Sequence, residues 1–484
     1  MFKLILYKEL REIIGSKKFA ATFGICSVLI ILAFFTGIKN YQAEMRDYES
    51  SKAAQLQTFE RFTKWDNVNK NRIFFPPEPL AYLVMGISYD IGRTADIDGN
   101  NRSNLSESIY SEQTVFAVFR FMDLEYVFKI ILSLFAILFA FDAITGEKEK
   151  GTLSLSFSNA VPRANYILSK LLGPFLALIL PLLVPILIGT LLLPLLGVVL
   201  SVDEWIRLGL FIVCGLLYIG VFLTLSVFIS CLTKRSSSSF LFLLVIWVCS
   251  VLIIPRASVL IAGNMVKVPP YSEIYYKVTQ FERQNSREAN KQVDEFLKNL
   301  KMEKMQSETS ESETTKKVEE QVNEFYKKLR EENSQKARKF ESLLNEAHLF
   351  KKSRQEKLAL GLSRISPATV FTLVARTLGG TSLEMKKSFQ KNAKAYSESF
   401  AEFIRGKTGR NKGGKRIYLG VPDQDVKNGK AQPYNPKEIP EFVYQPTELS
   451  EILFDALPNI AILILYTLIF FLGAFLAFFR YDLR

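Results

Sequence analysis

The sequence predicts an α-helical integral membrane protein with six transmembrane helices and a mainly helical extracytoplasmic domain containing a long charged helical hairpin. Three observations carry this. Hydrophobic residues make up 49% of the 484. They are gathered into runs of about 18 residues or more, enough to cross a roughly 30 Å hydrocarbon layer. A very polar region rich in Lys, Glu, Gln and Asn separates the fifth run from the last. Inside that region Val, Leu and Phe recur every third or fourth residue, the period of one helix face. The net charge of +13 is the ordinary consequence of cationic segments flanking membrane spans. No basic and aromatic groove pattern accompanies it, so nucleic acid is not read as a partner.

Residues 1–18 form an amphipathic interfacial helix. Phe2, Leu6, Leu10, Ile13 and Ile14 alternate at helical spacing with Lys3, Lys8, Glu9, Arg11 and Glu12, the pattern of a helix lying along a membrane. The run Phe19–Ile38 is too long for a signal-peptide core and lacks a small-residue cleavage site, so it is read as a retained first span, 19–38. The other spans are Tyr126–Phe141, Ile167–Leu196, Trp205–Leu232, Phe240–Ile261 and Leu457–Phe479.

Lys and Arg in the short connections set the orientation. Lys3, Lys8, Arg11, Lys17 and Lys18 precede the first span. Lys148, Lys150, Arg163 and Lys170 follow the second, Lys234 and Arg235 follow the fourth, and Arg480 and Arg484 follow the last. The connection Ser201–Glu204 on the other side is acidic. Both termini and the loop at 142–166 are therefore expected in the cytoplasm, with four spans across 126–262 and the last span and a short cytoplasmic tail across 457–484.

Two segments then lie outside. In the first, 39–125, Tyr41–Phe62 and Ser111–Met122 are expected to be helical. Phe74–Pro79 (F-F-P-P-E-P) reads as a rigid extended turn, and Gly99–Asn104 as a polar loop. The second occupies 263–456. Its stretch from about 271 to 360 carries the apolar stripe Val278, Phe281, Phe296, Val322, Phe325 and Phe340. This predicts two antiparallel helices with a turn near Ser310. Ser366-Pro367 is a helix start, a capping hydroxyl followed by proline in the first turn. That helix is expected to stop at Gly379-Gly380. Gly406–Arg416 reads as a basic loop, and Gln432–Pro446 as a Pro-rich extended return.

No catalytic constellation is present. The sequence has no H-E-x-x-H and no G-x-S-x-G. Gly406-Lys407-Thr408 lacks the upstream glycine of a phosphate loop, since position 401 is alanine. Cys26, Cys214, Cys231 and Cys249 lie in or beside apolar runs, and His348 is the one histidine. A metal site is not expected. Four prolines in the third span, Pro174, Pro181, Pro185 and Pro194, leave two readings open: a packed, bent helix, or a segment that flexes or breaks near its outer end. Arg256 is read as snorkelling to the outer interface, with lining of a substrate path as the alternative.

The stretch 141–170 organises the rest. On charge alone it is a solvated loop. Its order is Gly146-Glu147-Lys148-Glu149-Lys150-Gly151-Thr152-Leu153, then Val161-Pro162-Arg163, then Lys170-Leu171-Leu172-Gly173-Pro174. This resembles the first cytoplasmic loop of ABC-2-like ABC transporter permeases, with E-x-E-x-G-T-L, V-P-R and S-K in sequence. Leu362–Ala368 followed by Gly379-Gly380-Thr381, and the ending Phe479–Arg484, resemble a bacterial branch with a large extracytoplasmic domain. That branch is related to nitrous-oxide-reductase accessory and gliding-motility permeases. Two departures stand out: Ser169 takes the place of the common glycine before Lys170, and the charged hairpin is longer.

The resemblance implies a permease subunit, not an enzyme, in an ATP-driven transporter of the bacterial cytoplasmic (inner) membrane that works as an exporter. This chain binds no cofactor, and ATP and Mg belong to a cytoplasmic ABC ATPase dimer. In such a loop Glu147 and Glu149 would pair with basic residues of the ATPase. Gly151 and Thr152 would permit a sharp turn and a new helix start. Arg163 and Lys170 would hold anionic surfaces or membrane lipid, and Lys234 and Arg235 would give a second contact. Six spans form half a pathway, so a second permease copy or paralogue is expected. The hairpin is the place for a periplasmic or envelope partner. Two alternatives stand beside the exporter. One is ATP-driven force transmission that extracts a lipid, lipoprotein or peptide through the external domain without a continuous pore. The other is a membrane-anchored scaffold.

Overall fold

Gly15 and Ser16 divide the N-terminal region into two helices. The computed structural model describes residues 2–68, 70–87, 93–98, 102–105, 122–153, 157, 162–306, 311–408 and 434–480. Helix α1 spans Phe2–Ile14. Ser16 then caps α2, Lys17–Glu60, by accepting from the Phe19 N–H at 3.1 Å. At 1.5 Å per residue these 44 residues reach about 66 Å, twice the hydrocarbon thickness. The expected helix at 41–62 is thus the unbroken continuation of the first span.

Strand β1 (Lys70–Phe74), the short helix α3 (Leu80–Leu83), β2 (Thr94–Asp98) and β3 (Arg102–Leu105) follow. The strands form an antiparallel sheet in the order β1-β2-β3, with Lys70 opposite Asp98 and Asp98 opposite Arg102. This corrects two expectations. Phe74 ends a strand rather than opening a turn, and residues 102–104 belong to a strand rather than a loop. The expected helix at 111–122 lies outside the described residues, apart from Met122.

The second span begins with a single turn at Leu124–Tyr126 and a π-helical segment, Val127–Leu132, before α4 (Ser133–Ala140) and α5 (Thr145–Glu149). Helix α6, Arg163–Leu195, runs unbroken through Pro174, Pro181 and Pro185 and ends just past Pro194. Helix α7, Val202–Leu232, opens on a capping box in which Ser201 and Glu204 satisfy each other's backbone N–H groups. Helix α8, Ser236–Val248, passes through a second π segment, Cys249–Ile253, into α9, Ile254–Met265. Pro255 has no N–H to close a bond onto the Val251 carbonyl, which explains the wide turn there. The chain continues with α10 (Tyr271–Gln306), α11 (Glu311–Ser363), α12 (Pro367–Gly379), α13 (Leu383–Thr408) and α14 (Leu449–Phe479). Among the described residues six helical stretches are long and apolar enough to cross a membrane, as the sequence predicts.

The chain divides into two compact units, Ile253–Ile365 and the remainder. In the larger unit α7 is central, packing against α4, α12 and α14. Tyr218 and Phe222 on α7 are fully buried. Helix α12 is buried along nearly its whole length, and its Phe371 ring stacks on Tyr218 at 4.7 Å. A satellite core joins the sheet to α13: Asn71, Ile73, Ala95 and Ile97 alternate inward toward Phe389 and Phe400. Tyr396 ties the returning segment to this lobe by donating to the Pro440 carbonyl at 2.6 Å. Of the expected loop Gly406–Arg416, Gly406, Lys407 and Thr408 form the last turn of α13, where Lys407 pairs with Glu438, and 409–416 lie outside the described residues.

In the smaller unit α10 and α11 form the antiparallel hairpin. Phe281 stacks on Phe340 and Phe296 on Phe325, at 4.3 and 4.1 Å. Both pairs sum to the same register, as antiparallel pairing requires. His348 is buried, its ring 4.4 Å from that of Tyr271 and tilted against it. Arg256 is exposed on α9.

Candidate functional site

Thr145–Glu149 makes one short helix because its first N–H groups find an outside partner. Ser230, near the end of α7, accepts from the Ile144 and Thr145 N–H groups at 3.1 and 3.0 Å. Gly151 then takes a left-handed φ of +69°, a conformation open to glycine at little cost. The turn is locked again by Lys148. Its ammonium donates to the carbonyls of Ser230, Cys231 and Thr233 at 3.3, 2.7 and 3.1 Å. A cation there meets the unpaired carbonyls and the negative end of the α7 dipole.

Glu147 points inward. Lys170 on α6 lies 2.7 Å from both Glu147 Oε1 and Glu9 Oε1. The Tyr166 hydroxyl donates to the other Glu147 oxygen at 2.5 Å. Tyr166, Lys170 and Gly173 follow one another on one face of α6 at four- and three-residue spacing. Gly173 lets α1 approach: a Cβ there would lie 2.8 Å from the Glu9 Cβ. The Lys170 side chain is 4% exposed and Glu9 8%. Two carboxylates thus share one ammonium out of water, an arrangement that holds only while all partners are present. Burial pushes the Glu9 carboxyl above its usual range, and Lys170 opposes that shift.

Glu149 turns the other way. It accepts from the Ser236 N–H and hydroxyl at 2.9 and 2.8 Å, capping the start of α8. Arg163 donates to the Phe479 carbonyl at 2.9 Å, at the end of α14. The structure therefore gathers Glu147, Glu149, Lys170 and the 230–236 turn around one short helix. Glu149, Lys150, Gly151 and Thr152 form its exposed crest, flanked by exposed Lys234 and Arg235. Sequence reasoning did not single out Glu9, Lys148, Tyr166, Ser230 and Ser236. Glu9 lies 161 positions from Lys170 and carries no local sign of its partner. Lys148 was legible only as one of several loop cations.

A second set of ionic contacts lies at the opposite end of the bundle. Arg376, in the last turn of α12, pairs with Glu125 at 3.2 Å, and Lys129 with Glu125 at 3.7 Å. Arg207 donates to the Leu378 carbonyl at 2.7 Å and pairs with Glu78 at 3.4 Å. Asp123 accepts from the N–H groups of Tyr126 and Met85 at 2.8 and 3.0 Å. Burial pushes its carboxyl up to about 6. Both π segments serve α12 and its surroundings. The Lys129 carbonyl accepts from the Tyr218 hydroxyl at 3.0 Å, and the Ser250 carbonyl from the Ser366 hydroxyl at 2.6 Å.

Apolar spanning helices, charged contacts at both bundle ends and a braced loop between spans define a multi-pass membrane subunit. The chain belongs to the ABC-2 family of transporters, since the family model described as "ABC-2 family transporter protein" matches residues 4–483. It is accordingly an ABC transporter permease, and membership implies partnership with an ABC ATPase. No curated protein matches the chain.

Proposed function

We propose that the chain is the membrane subunit of an ATP-driven exporter in the bacterial inner membrane, with both termini cytoplasmic. It is worked by a cytoplasmic ATPase dimer that presses on the 142–166 loop. ATP and Mg sit in that partner. A second permease copy or a paralogue completes the pathway.

The carrying observation is the double-sided character of α5. Its inner side is tied to α1, α6 and α7 through Lys170, Lys148 and Ser230, and its exposed end to α8 through Glu149. Its crest at 149–152 is exposed. A push on the crest therefore reaches four helices at once. Glu147 acts in this reading as the internal strut, and Glu149, Lys150, Gly151, Thr152, Lys234 and Arg235 face the ATPase.

The test is co-purification. The ABC ATPase captured with the tagged chain is identified by mass spectrometry. Capture is then repeated with Lys150→Glu combined with Thr152→Arg. ATPase capture should fall severalfold while the melting temperature of the permease holds. Undiminished capture sinks the reading.

Force transmission to the external domain without a continuous pore is the second reading. It is favoured by α12, which fills the space against α7 and α14. Family membership speaks against a scaffold without transport.

A further inference from the structure

We infer that the foot of the charged hairpin is a membrane-surface element that takes the anionic lipid headgroups of the leaflet entered by α9. The observation is a cluster of exposed aromatic and apolar side chains at one end of the hairpin. Tyr271, Tyr275 and Tyr276 open α10 with exposures of 62, 75 and 61%, and Leu349 and Phe350 on α11 are 57 and 71% exposed. The tilted contact of the Tyr271 ring with His348, at 4.4 Å between centroids, brings the two groups to the same level. The inner positions are filled differently: Ile274 and His348 are buried between the helices. The exposed set is thus an outward face, not a loosened core. Exposed clusters of this kind mark interaction surfaces.

Continuity with the membrane identifies the occupant. Helix α9 is the end of the candidate span Ser236–Met265. Val259, Leu260, Ile261 and Met265 on α9 are exposed, as lipid-facing residues are. Five residues separate Met265 from Tyr271, a reach of at most about 21 Å fully extended. The hairpin is also pinned to that end of the span, for Gln355 of α11 donates to the Val266 carbonyl at 2.8 Å. Phe350 lies five residues from Gln355, about 7.5 Å along the helix. The foot therefore stands at headgroup level. Tyrosine suits that position, with an apolar ring and a polar tip.

Charge names the lipid class. Lys267, Lys351, Arg354 and Lys357 are exposed around the aromatic cluster, while Lys277 is bridged to Glu273 at 2.7 Å. Juxtamembrane cations of this density attract anionic headgroups. A second copy seated on the same face would bring these cations against one another.

The experiment uses the full chain in nanodiscs. A nitroxide is placed at Phe350→Cys and, independently, at Tyr275→Cys. Tyr326→Cys serves as the reference on the same helix, 24 residues away, about 36 Å. Signal from Cys26, Cys214, Cys231 and Cys249 is measured on the unsubstituted chain. In phosphatidylglycerol-containing discs, collisions with lipid-dissolved oxygen should exceed those with an aqueous nickel chelate severalfold at 350 and 275, and the ratio should invert at 326. In discs of phosphatidylcholine alone the ratio at 350 and 275 should fall. Equal nickel accessibility at 350, 275 and 326 overturns the proposal. So does dipolar broadening between labels, which would assign the face to a second copy. An unchanged ratio between the two lipid compositions overturns the anionic preference.

Discussion

Lys170 decides the behaviour of the site at the residue scale. Its ammonium is placed against both Glu9 and Glu147. Lys170→Met should leave two buried carboxylates uncompensated, a loss of about 3–5 kcal/mol read as a large fall in melting temperature. Adding Glu9→Gln should recover part of it, because one of the stranded charges disappears. An unchanged melting temperature in Lys170→Met would mean that water reaches the cluster. Asp123 gives a pH signature at the other end. Its carboxyl rises from an ordinary 3.8 to about 6 in the folded chain, chiefly through burial. The folded state then holds the proton more tightly than the unfolded one. Its contribution to stability is full below about 4 and disappears as pH rises through about 6. Asp123→Asn keeps an acceptor for the Tyr126 N–H and cannot ionise. Its melting temperature relative to the parent should therefore climb between pH 4 and pH 7, and a constant difference would refute the assignment.

At the scale of elements, α12 is held at both ends. Ser366 accepts from the Ala368 and Thr369 N–H groups at 3.1 and 3.3 Å and donates to the Ser250 carbonyl. Gly380 ends the helix with φ +69°. Ser366→Ala should cost about 0.5–2 kcal/mol as a lost cap, and hydrogen exchange should rise first in the amides of 367–370. Protection equal to the parent there would show the cap to be idle. These bounds were readable because they depend on neighbours in sequence: a hydroxyl before proline, and glycine after an apolar run. The hairpin was readable for a similar reason, since Phe281, Phe296, Phe325 and Phe340 repeat at helical spacing. The sheet was not. β1 and β2 have five residues each, and their alternation around Ile73 and Ile97 is too short to outweigh the prolines and charges beside them. The depth of α12 was also hidden, because the burial of Phe371 beside Tyr218 joins residues far apart in sequence. The ionic cluster failed to announce itself for the same cause: Glu9 looks like a polar-face residue until α6 is laid against α1.

For the whole molecule, the two charged ends have to be connected. Arg207 and Ser230 lie on α7, 23 residues apart, about 35 Å along the axis. One end holds α12 through the Leu378 carbonyl, and the other holds α5 through its first N–H groups. A helix this long, packed on α4, α12 and α14, is a stiff strut between the loop and the buried α12. Movement at α5 is therefore expected at α12, whether the end result is an opened path or a moved external domain. The contact that makes this specific is Arg207, which binds both Glu78 and the last turn of α12. Arg207→Met should leave capture of the partner ATPase intact, since it is remote from the crest. It should loosen α12, seen as faster hydrogen exchange at 374–380, and alter ATP hydrolysis by the assembled complex in nanodiscs. Loss of ATPase capture would show that the variant damages the bundle as a whole. Faster exchange with unaltered hydrolysis would show that the two ends move independently, and the strut reading of α7 would fall.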